Sequence, residues 1–303
     1  MSNNRQRILV TGGRGFFGKN LVPQLLNDGN EVKLFEGDLR KEQEVFQTVN
    51  LFRPQIVYHM GALVDLSRTY ATAKQCIDIN IKGTTVLLEA LRGNPPARFI
   101  YTSTEEIYGD GPLPFSEDQL LKPPSFYAVS KVAAEQLASI YTQLSGYQLL
   151  ILRIGTSYGA YQPVTRLIPQ IIINALQNKD ILLNSGKKKR DYVYIADVVE
   201  ALVRALSHPV DSQINVCNIG GGRQYALKTL VKYVIDITRS TSKVLYGVYP
   251  DRILEADEWL LSNANAEKVL GWIPHTSLEE GLRKTIDFYI NAPSIINPKT
   301  SEV

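Results

Sequence analysis

Short, nearly unbroken apolar runs alternate along the chain with stretches in which apolar residues recur every three or four positions. "RILVTG", "EVKLFEGD", "QIVYHMGA", "ARFIYTST" and "QLLILRIGTSYG" are β-branched or aromatic runs of strand length. Between them lie helical patterns: "GKNLVPQLLNDG" ending at Gly29, "KEQEVFQTVNLF", "IDINIKGTTVLLEALRG" ending at Gly93, and "YAVSKVAAEQLASIYTQLSG" ending at Gly146. This alternation, with strands apolar on both faces, predicts an α/β fold whose parallel sheet is covered by helices on each side. Ligands of such sheets bind beyond the carboxyl ends of the strands. Further along, the alternation loosens. "RLIPQIIINALQNKD", "YALKTLVKYVIDIT" and "GWIPHTSLEEGLRKTIDFYINA", with its Pro274 turn, read as helices of a smaller lobe, and the tail "PSIINPKTSEV" reads as frayed. The expected division is a sheet domain over residues 1–162, to which 191–220 returns, and a mostly helical C-terminal lobe over 163–303.

Composition narrows the class. A chain of 303 residues, 44% apolar and 21% charged, can bury a proper core and is ordinary for a soluble globular protein. A net charge of +3 argues against a dedicated nucleic-acid or membrane surface. The basic run Lys187-Lys188-Lys189-Arg190 follows "NSG", and its three lysines read as a solvated turn. Cys76 and Cys217 are far apart and His59, His208 and His275 are isolated, so neither a disulfide framework nor a metal site is expected, and the cytoplasm is the natural compartment. No signal peptide or membrane span is expected from the N-terminal segment "MSNNRQRILV".

The chemistry gathers at strand ends. "VTGGRGFFG" follows the first strand and opens the first helix, with Gly12, Gly15 and Gly18 three apart. Glycines let the backbone turn tightly and approach a pyrophosphate, whose charge then rests on the helix N-terminus. The loop residues Gly12, Arg14, Gly15, Phe16, Phe17 and Gly18 are therefore candidates for holding a dinucleotide. Glu36, at the end of the second strand, can accept the ribose hydroxyls and favours NAD. Arg14 pulls towards NADP, because a guanidinium can hold a 2′-phosphate. "YAVSK" places Tyr127 and Lys131 four apart, on one helix face. A phenol is a poor base near neutrality unless a nearby ammonium or an oxidised nicotinamide favours its phenolate, and Lys131 can also hold the nicotinamide ribose.

In order along the chain stand "TGGRGFFG", "YHMGALVD", "NIKGTTVLLEA", "YTSTEEIYG", "YAVSK", "RDYVYIADVVEAL", "NIGGG" and "LGW". This set resembles the extended short-chain dehydrogenase/reductases, the nucleotide-sugar epimerase/dehydratase group, over nearly the whole chain. The resemblance implies a doubly wound Rossmann sheet, a nucleotide-diphosphate sugar as substrate, and a homodimer formed through helices around 71–92 and 127–146. It implies that Thr104 works with Tyr127 and Lys131, that Asp38 and Leu39 contact the adenine, and that Ala62 lies beside the cofactor. Arg190 is implied to approach the nucleotide diphosphate, with Arg166 and Arg252 as further candidates. The chain departs from the family where Thr156 replaces an asparagine and where the segment after Glu36 is shortened; the shortening, with Arg14, resembles NADPH-using 4-keto-sugar reductases.

Glu105 and Glu106 follow Thr104, and family dehydratases carry Thr, then Asp or Ser, then Glu at this place. The resemblance thus suggests elimination of water from a 4-keto hexose, with Glu106 as base at C5 and Glu105 as acid for the 6-hydroxyl. Both facing the sugar requires the strand to have ended by Glu105, because neighbours on a strand point oppositely. A 4-epimerase, a one-way 4-keto-sugar reductase and a non-catalytic dinucleotide sensor are the alternatives.

Overall fold

The structure is a computed structural model describing residues 5–209 and 212–292; the tail expected to be frayed lies outside the described residues. Its strands are β1 (Arg7–Thr11), β2 (Glu31–Phe35), β3 (Ile56–His59), β4 (Arg98–Thr104), β5 (Gln148–Ile154), β6 (Thr156–Tyr158), β7 (Ile181–Leu182), β8 (Lys189–Tyr194), β9 (Ile214–Ile219), β10 (Gln224–Ala226) and β11 (Val244–Leu245). Six of them form one parallel sheet in the order β2-β1-β3-β4-β5-β9. The order reverses beside β1, which opens the crevice that such sheets use for ligands. The strand runs foreseen in the sequence are β1 to β5, and the central ones are buried on both faces, which is why they read as continuous apolar runs.

The helices are α1 (Phe16–Asn27), α2 (Glu42–Phe52), α3 (Tyr70–Gln75), α4 (Gly83–Arg92), α5 (Phe126–Ser145), α6 (Leu167–Leu176), α7 (Ile195–Ser207), α8 (Leu227–Thr238), α9 (Ala264–Leu270) and α10 (Leu278–Asn291). One core layer packs Leu9, Val57 and Tyr101 of the sheet against Val45, Leu87 and Ala134 of α2, α4 and α5. The other face packs Ile8, Tyr58 and Leu152 against Leu21 of α1 and Val198 of α7, and runs on into Ile171 and Leu230 of α6 and α8. The helix read as starting near Ile77 in fact begins at Tyr70 and passes through a wide π-type turn, Cys76–Lys82, before α4. Helix α9 and the short strands after β5 were not foreseen; β10, β8 and β6 make a second sheet, and β11 pairs with β7.

The run "QLLILRIGTSYG" is two strands. Gly155 separates β5, in the main sheet, from β6, which pairs with β8 in the second. At this crossing Gly155 donates to the Ile219 carbonyl at 2.9 Å.

Candidate active site

The glycine loop joins β1 to α1. Gly12 has φ +71, and a Cβ there would lie 2.7 Å from the Gly61 nitrogen; one on Gly18 would lie 2.3 Å from the Gly13 oxygen. Only glycine permits these approaches. Helix α1 starts after Gly15 with no side-chain cap, so its first amides face the loop. A cavity of about 470 Å³ runs from this loop past Glu36, Asp38 and Leu39 to Ala62. A second, of about 620 Å³, shares Gly12, Gly15, Gly61 and Ala62 with it and adds Phe16, Phe17, Thr104, Glu105, Glu106, Tyr127, Lys131, Thr156 and Arg166. Together they make one groove past the carboxyl ends of β1, β3 and β4, and the open amides of α1 and the glycine cradle fit a dinucleotide pyrophosphate.

Arg14 and Glu36, which argued for different cofactors, are bound to each other. The Arg14 Nη2 lies 2.5 Å from Glu36 Oε1, with the two side chains 76% and 50% exposed. Asp38 is paired to Arg40, whose hydrogen bonds hold its carboxyl down at about 2. Beneath the loop, buried His59 lies between the hydroxyls of Thr11 at 2.7 Å and Thr84 at 2.8 Å. Burial, then the Lys131 charge, lowers the imidazole to about 3, so it serves as a neutral strut.

Strand β4 stops at Thr104. A single tight helical turn, Glu105–Tyr108, follows, with the Thr104 hydroxyl accepting from the Glu106 amide at 3.3 Å. Gly109 ends the turn at φ +63, where a Cβ would lie 2.0 Å from the Lys122 carbonyl oxygen. Because the strand has ended, Glu105 and Glu106 both line the same cavity. Glu105 is buried; its Oε1 accepts from Thr156 Oγ1 at 2.5 Å, while its buried Oε2 has no hydrogen-bond partner among the described residues. Burial, and next the Asp191 carboxylate, push its carboxyl well above the ordinary value, against the Thr156 hydrogen bond and Arg190. Glu106 is raised too, chiefly by burial, with Ser125, Arg68 and Arg252 opposing.

Helix α5 is capped by Ser125, whose hydroxyl accepts from Ala128, and this places Tyr127 in the first turn and Lys131 one turn on. Burial raises the Tyr127 phenol, as does the Glu106 charge, while the Thr104 hydroxyl lowers it. The Lys131 Nζ stands 4.0 Å over the Tyr101 ring, and burial lowers it to about 7, with Glu135 opposing. Asn80, in the π-type turn, was missed in the sequence. Its side chain bonds Leu63 N at 2.7 Å, Leu63 O at 3.0 Å and Ser130 Oγ at 2.8 Å, fixing the cofactor-side loop to α5. Such turns recur at functional sites.

The arginines are dispersed. Arg166 lines the cavity that holds Tyr127 and Lys131 and donates to the Val64 carbonyl at 2.9 Å. Arg190 lies further out, stacked 4.2 Å over Trp259, in a cavity of about 340 Å³ that it shares with Lys188, Arg252 and Glu255. Lys188 is largely buried there, against the solvated place expected for it, whereas Lys187 is exposed and Lys189, paired with Glu258, is 45% exposed. The run is pinned by a segment that follows it by nearly seventy residues, which local composition does not reveal.

A family model, NAD dependent epimerase/dehydratase family, matches residues 8–220. The chain belongs to this family. It is 28% identical to the UDP-N-acetyl-alpha-D-glucosaminuronate decarboxylase of Bacillus cytotoxicus, over 94% of this chain and 98% of that one. It is 27% identical to the dTDP-glucose 4,6-dehydratase of Neisseria meningitidis serogroup B, over 94% of each. The UDP-glucose 4-epimerase of Thermus thermophilus, solved in complex with NAD, superposes with a TM-score of 0.87 at 29% identity, covering 94% of this chain and 99% of that one. As a member of an NAD dependent family the chain uses NAD, the cofactor favoured in the sequence. The relatives' names carry three different reactions, so the reaction of this family member rests on its own residues. Among the described residues no helix is long and apolar enough to cross a membrane.

Proposed function

We propose that this family member is a nucleotide-sugar dehydratase of the 4,6 type, acting on a nucleotide-diphosphate hexose through a 4-keto intermediate. The carrying observation is the pair of carboxyl groups on one cavity wall, Glu105 with its buried, unpartnered Oε2 and Glu106 beside it. When bound, NAD would supply a hydride acceptor for C4 and a hydride donor for C6. Tyr127 takes the proton of the 4-hydroxyl, and Thr104 hydrogen-bonds that oxygen. Burial leaves Tyr127 a protonated phenol in the free protein, so the positive charge of an oxidised nicotinamide supports its action as a base. Lys131 holds the nicotinamide ribose. The ketone at C4 acidifies the C5 hydrogen, and Glu106 removes that proton. The C5–H electrons form the C5–C6 double bond, the C6–O bond breaks, and Glu105 supplies the proton with which the hydroxyl leaves as water. Glu106 returns its proton to C5. The raised carboxyl of Glu105 suits an acid at neutral pH, and burial strengthens Glu106 as a base.

The homodimer expected from the resemblance is supported by the exposed apolar side chains of Ile77 near α3 and of Ile140 and Leu144 on α5. Proton NMR of the purified protein with NAD and a panel of UDP-, dTDP-, GDP- and CDP-hexoses tests the reaction. A new 6-methyl signal is expected, and a C4-inverted sugar with its hydroxymethyl intact refutes elimination. In D2O, Glu105→Gln is expected to keep exchanging the C5 hydrogen without losing water, whereas Glu106→Gln stops the exchange. Tyr127→Phe is expected to lose turnover while still binding NAD; unchanged biological function in that variant would favour a sensor.

A further inference from the structure

Behind Tyr127 and Lys131 lies a carboxylate that the proposed steps do not use. Residues 127, 131 and 135 recur every four positions of α5, so Glu135 continues the stripe of Tyr127 and Lys131 by one more turn. All three are buried, with Lys131 and Glu135 each only 2% exposed. A buried carboxylate is costly unless it is paired. Its partner is Arg153, near the end of β5: Nε donates to Glu135 Oε1 at 3.2 Å, and Nη2 to Oε2 at 2.8 Å. Such two-pronged pairing fixes the orientation of both groups as well as their separation.

The third guanidinium nitrogen reaches away from the pair. Nη1 donates to the Tyr108 hydroxyl at 2.9 Å and to the Glu117 carbonyl at 3.0 Å. Tyr108 closes the tight turn that carries Glu105 and Glu106, and its hydroxyl in turn donates to Asn218 Oδ1 at 2.7 Å. Arg153 therefore joins the helix of Tyr127 and Lys131 to the turn of the two glutamates. Toward Lys131, the same Glu135 carboxylate is the charge that opposes the effect of burial on the ammonium. The groups that face Lys131 from elsewhere are neutral: the Tyr101 ring of β4 lies under it, Tyr127 of its own helix is held by burial as a phenol, and His59 of β3 is an uncharged imidazole.

We propose that Glu135 and Arg153 are positioning residues of this active site, the carboxylate as the buried counter-charge that seats the Lys131 ammonium and the guanidinium as the tie that sets α5 against the turn of Glu105 and Glu106. This inference rests on the roles of Tyr127 and Lys131 in the proposed reaction, which elimination and epimerisation share, and not on the choice between them. Arg153 also divides the charge, because a carboxylate held by two guanidinium nitrogens has less to give to Lys131. The two side chains thus act on the lysine in opposite senses, which packing alone would not produce.

NMR titration of the NAD-loaded protein, isotope-labelled at its lysine side chains, tests the counter-charge; the Lys131 signal is the one that Lys131→Met removes. Glu135→Gln keeps the shape of the side chain and removes its charge, so the Lys131 midpoint is expected to fall by about one pH unit. In Arg153→Met it is expected to rise. Turnover of a nucleotide hexose tests the tie. Arg153→Lys offers one ammonium where the fork held Glu135 and Tyr108 together, so kcat is expected to drop about tenfold while KM changes by less than about twofold. A Glu135→Leu, Arg153→Met protein removes both charges together and so avoids an unpaired one; it is expected to fold and still to turn over about tenfold more slowly. A midpoint that stays in place in Glu135→Gln, a shift of the same sign in Arg153→Met, or full turnover in the folded double variant overturns the proposal. Failure of the unaltered protein to turn over any nucleotide hexose would instead overturn the reading on which it rests, while the opposite midpoint shifts still decide the counter-charge.

Discussion

Replacing Lys131 by methionine should stabilise the protein while removing a group that the proposed reaction uses. Lys131 is buried, and burial lowers its ammonium from 10.5 to about 7. At roughly 1.4 kcal/mol per pH unit, a difference of that size corresponds to ~5 kcal/mol against the charged form. Polarisable surroundings and relaxation reduce the realised figure to the order of 1–3 kcal/mol. The lysine is more basic in the unfolded chain than in the folded one, so folding expels its proton between about pH 7 and the unfolded value. The deficit is therefore complete below about pH 7 and disappears as the pH rises towards 10.5. Methionine keeps much of the chain length over the Tyr101 ring and carries no charge. Thermal unfolding of both proteins, freed of dinucleotide, at pH 6.5 and 9.5 is the assay. The variant should melt a few degrees higher at the lower pH, at roughly 2 °C per kcal/mol, and the gap should close at the higher. A variant that melts lower at pH 6.5, or a gap that does not change with pH, refutes the reasoning.

Glu36→Gln frees Arg14 and removes a like charge from the place of a 2′-phosphate, so the ratio of NADP to NAD affinity should rise about tenfold in fluorescence titrations; an unchanged ratio assigns selectivity elsewhere. Gly18→Ala puts a Cβ against the Gly13 carbonyl, and urea unfolding should show a loss of ~2 kcal/mol together with weakened NAD binding. The pair between Glu135 and Arg153, 2.8 Å apart and buried, also binds the Tyr108 hydroxyl. Glu135→Ala should therefore cost about 3–5 kcal/mol by leaving a buried guanidinium without its counter-charge, and a Glu135→Leu, Arg153→Met double variant should recover most of it.

The glycine loop and the placing of Tyr127 and Lys131 on one helix face could be read from the sequence because each depends on local features, a tight turn after a strand and a four-residue spacing, whereas Thr104 was marked only by the family resemblance. Glu105 and Glu106 were half legible. Their spacing was visible, but their common wall depends on where β4 stops, and the Thr104 side chain fixes that point. The role of Asn80 was hidden because its partners, Leu63 and Ser130, lie on either side of it at distances of 17 and 50 residues. Lys188 looked like a solvated lysine because the carboxylate that buries it comes 67 residues later. Strands as short as β6 and β10 show no alternation long enough to stand out. The start at Tyr70 was masked by "TYATAKQC", whose small and polar residues lack a strong apolar stripe.

The crossing at Gly155 gives the candidate acid an unusual dependence. Glu105 hangs from the end of a main-sheet strand, while its hydrogen-bond partner Thr156 begins the second sheet. The carboxyl group thus bridges a seam, and its hydrogen bond forms only when both halves have been laid down and fitted to each other. Any displacement of the second sheet against the first therefore acts directly on the Glu105 carboxyl.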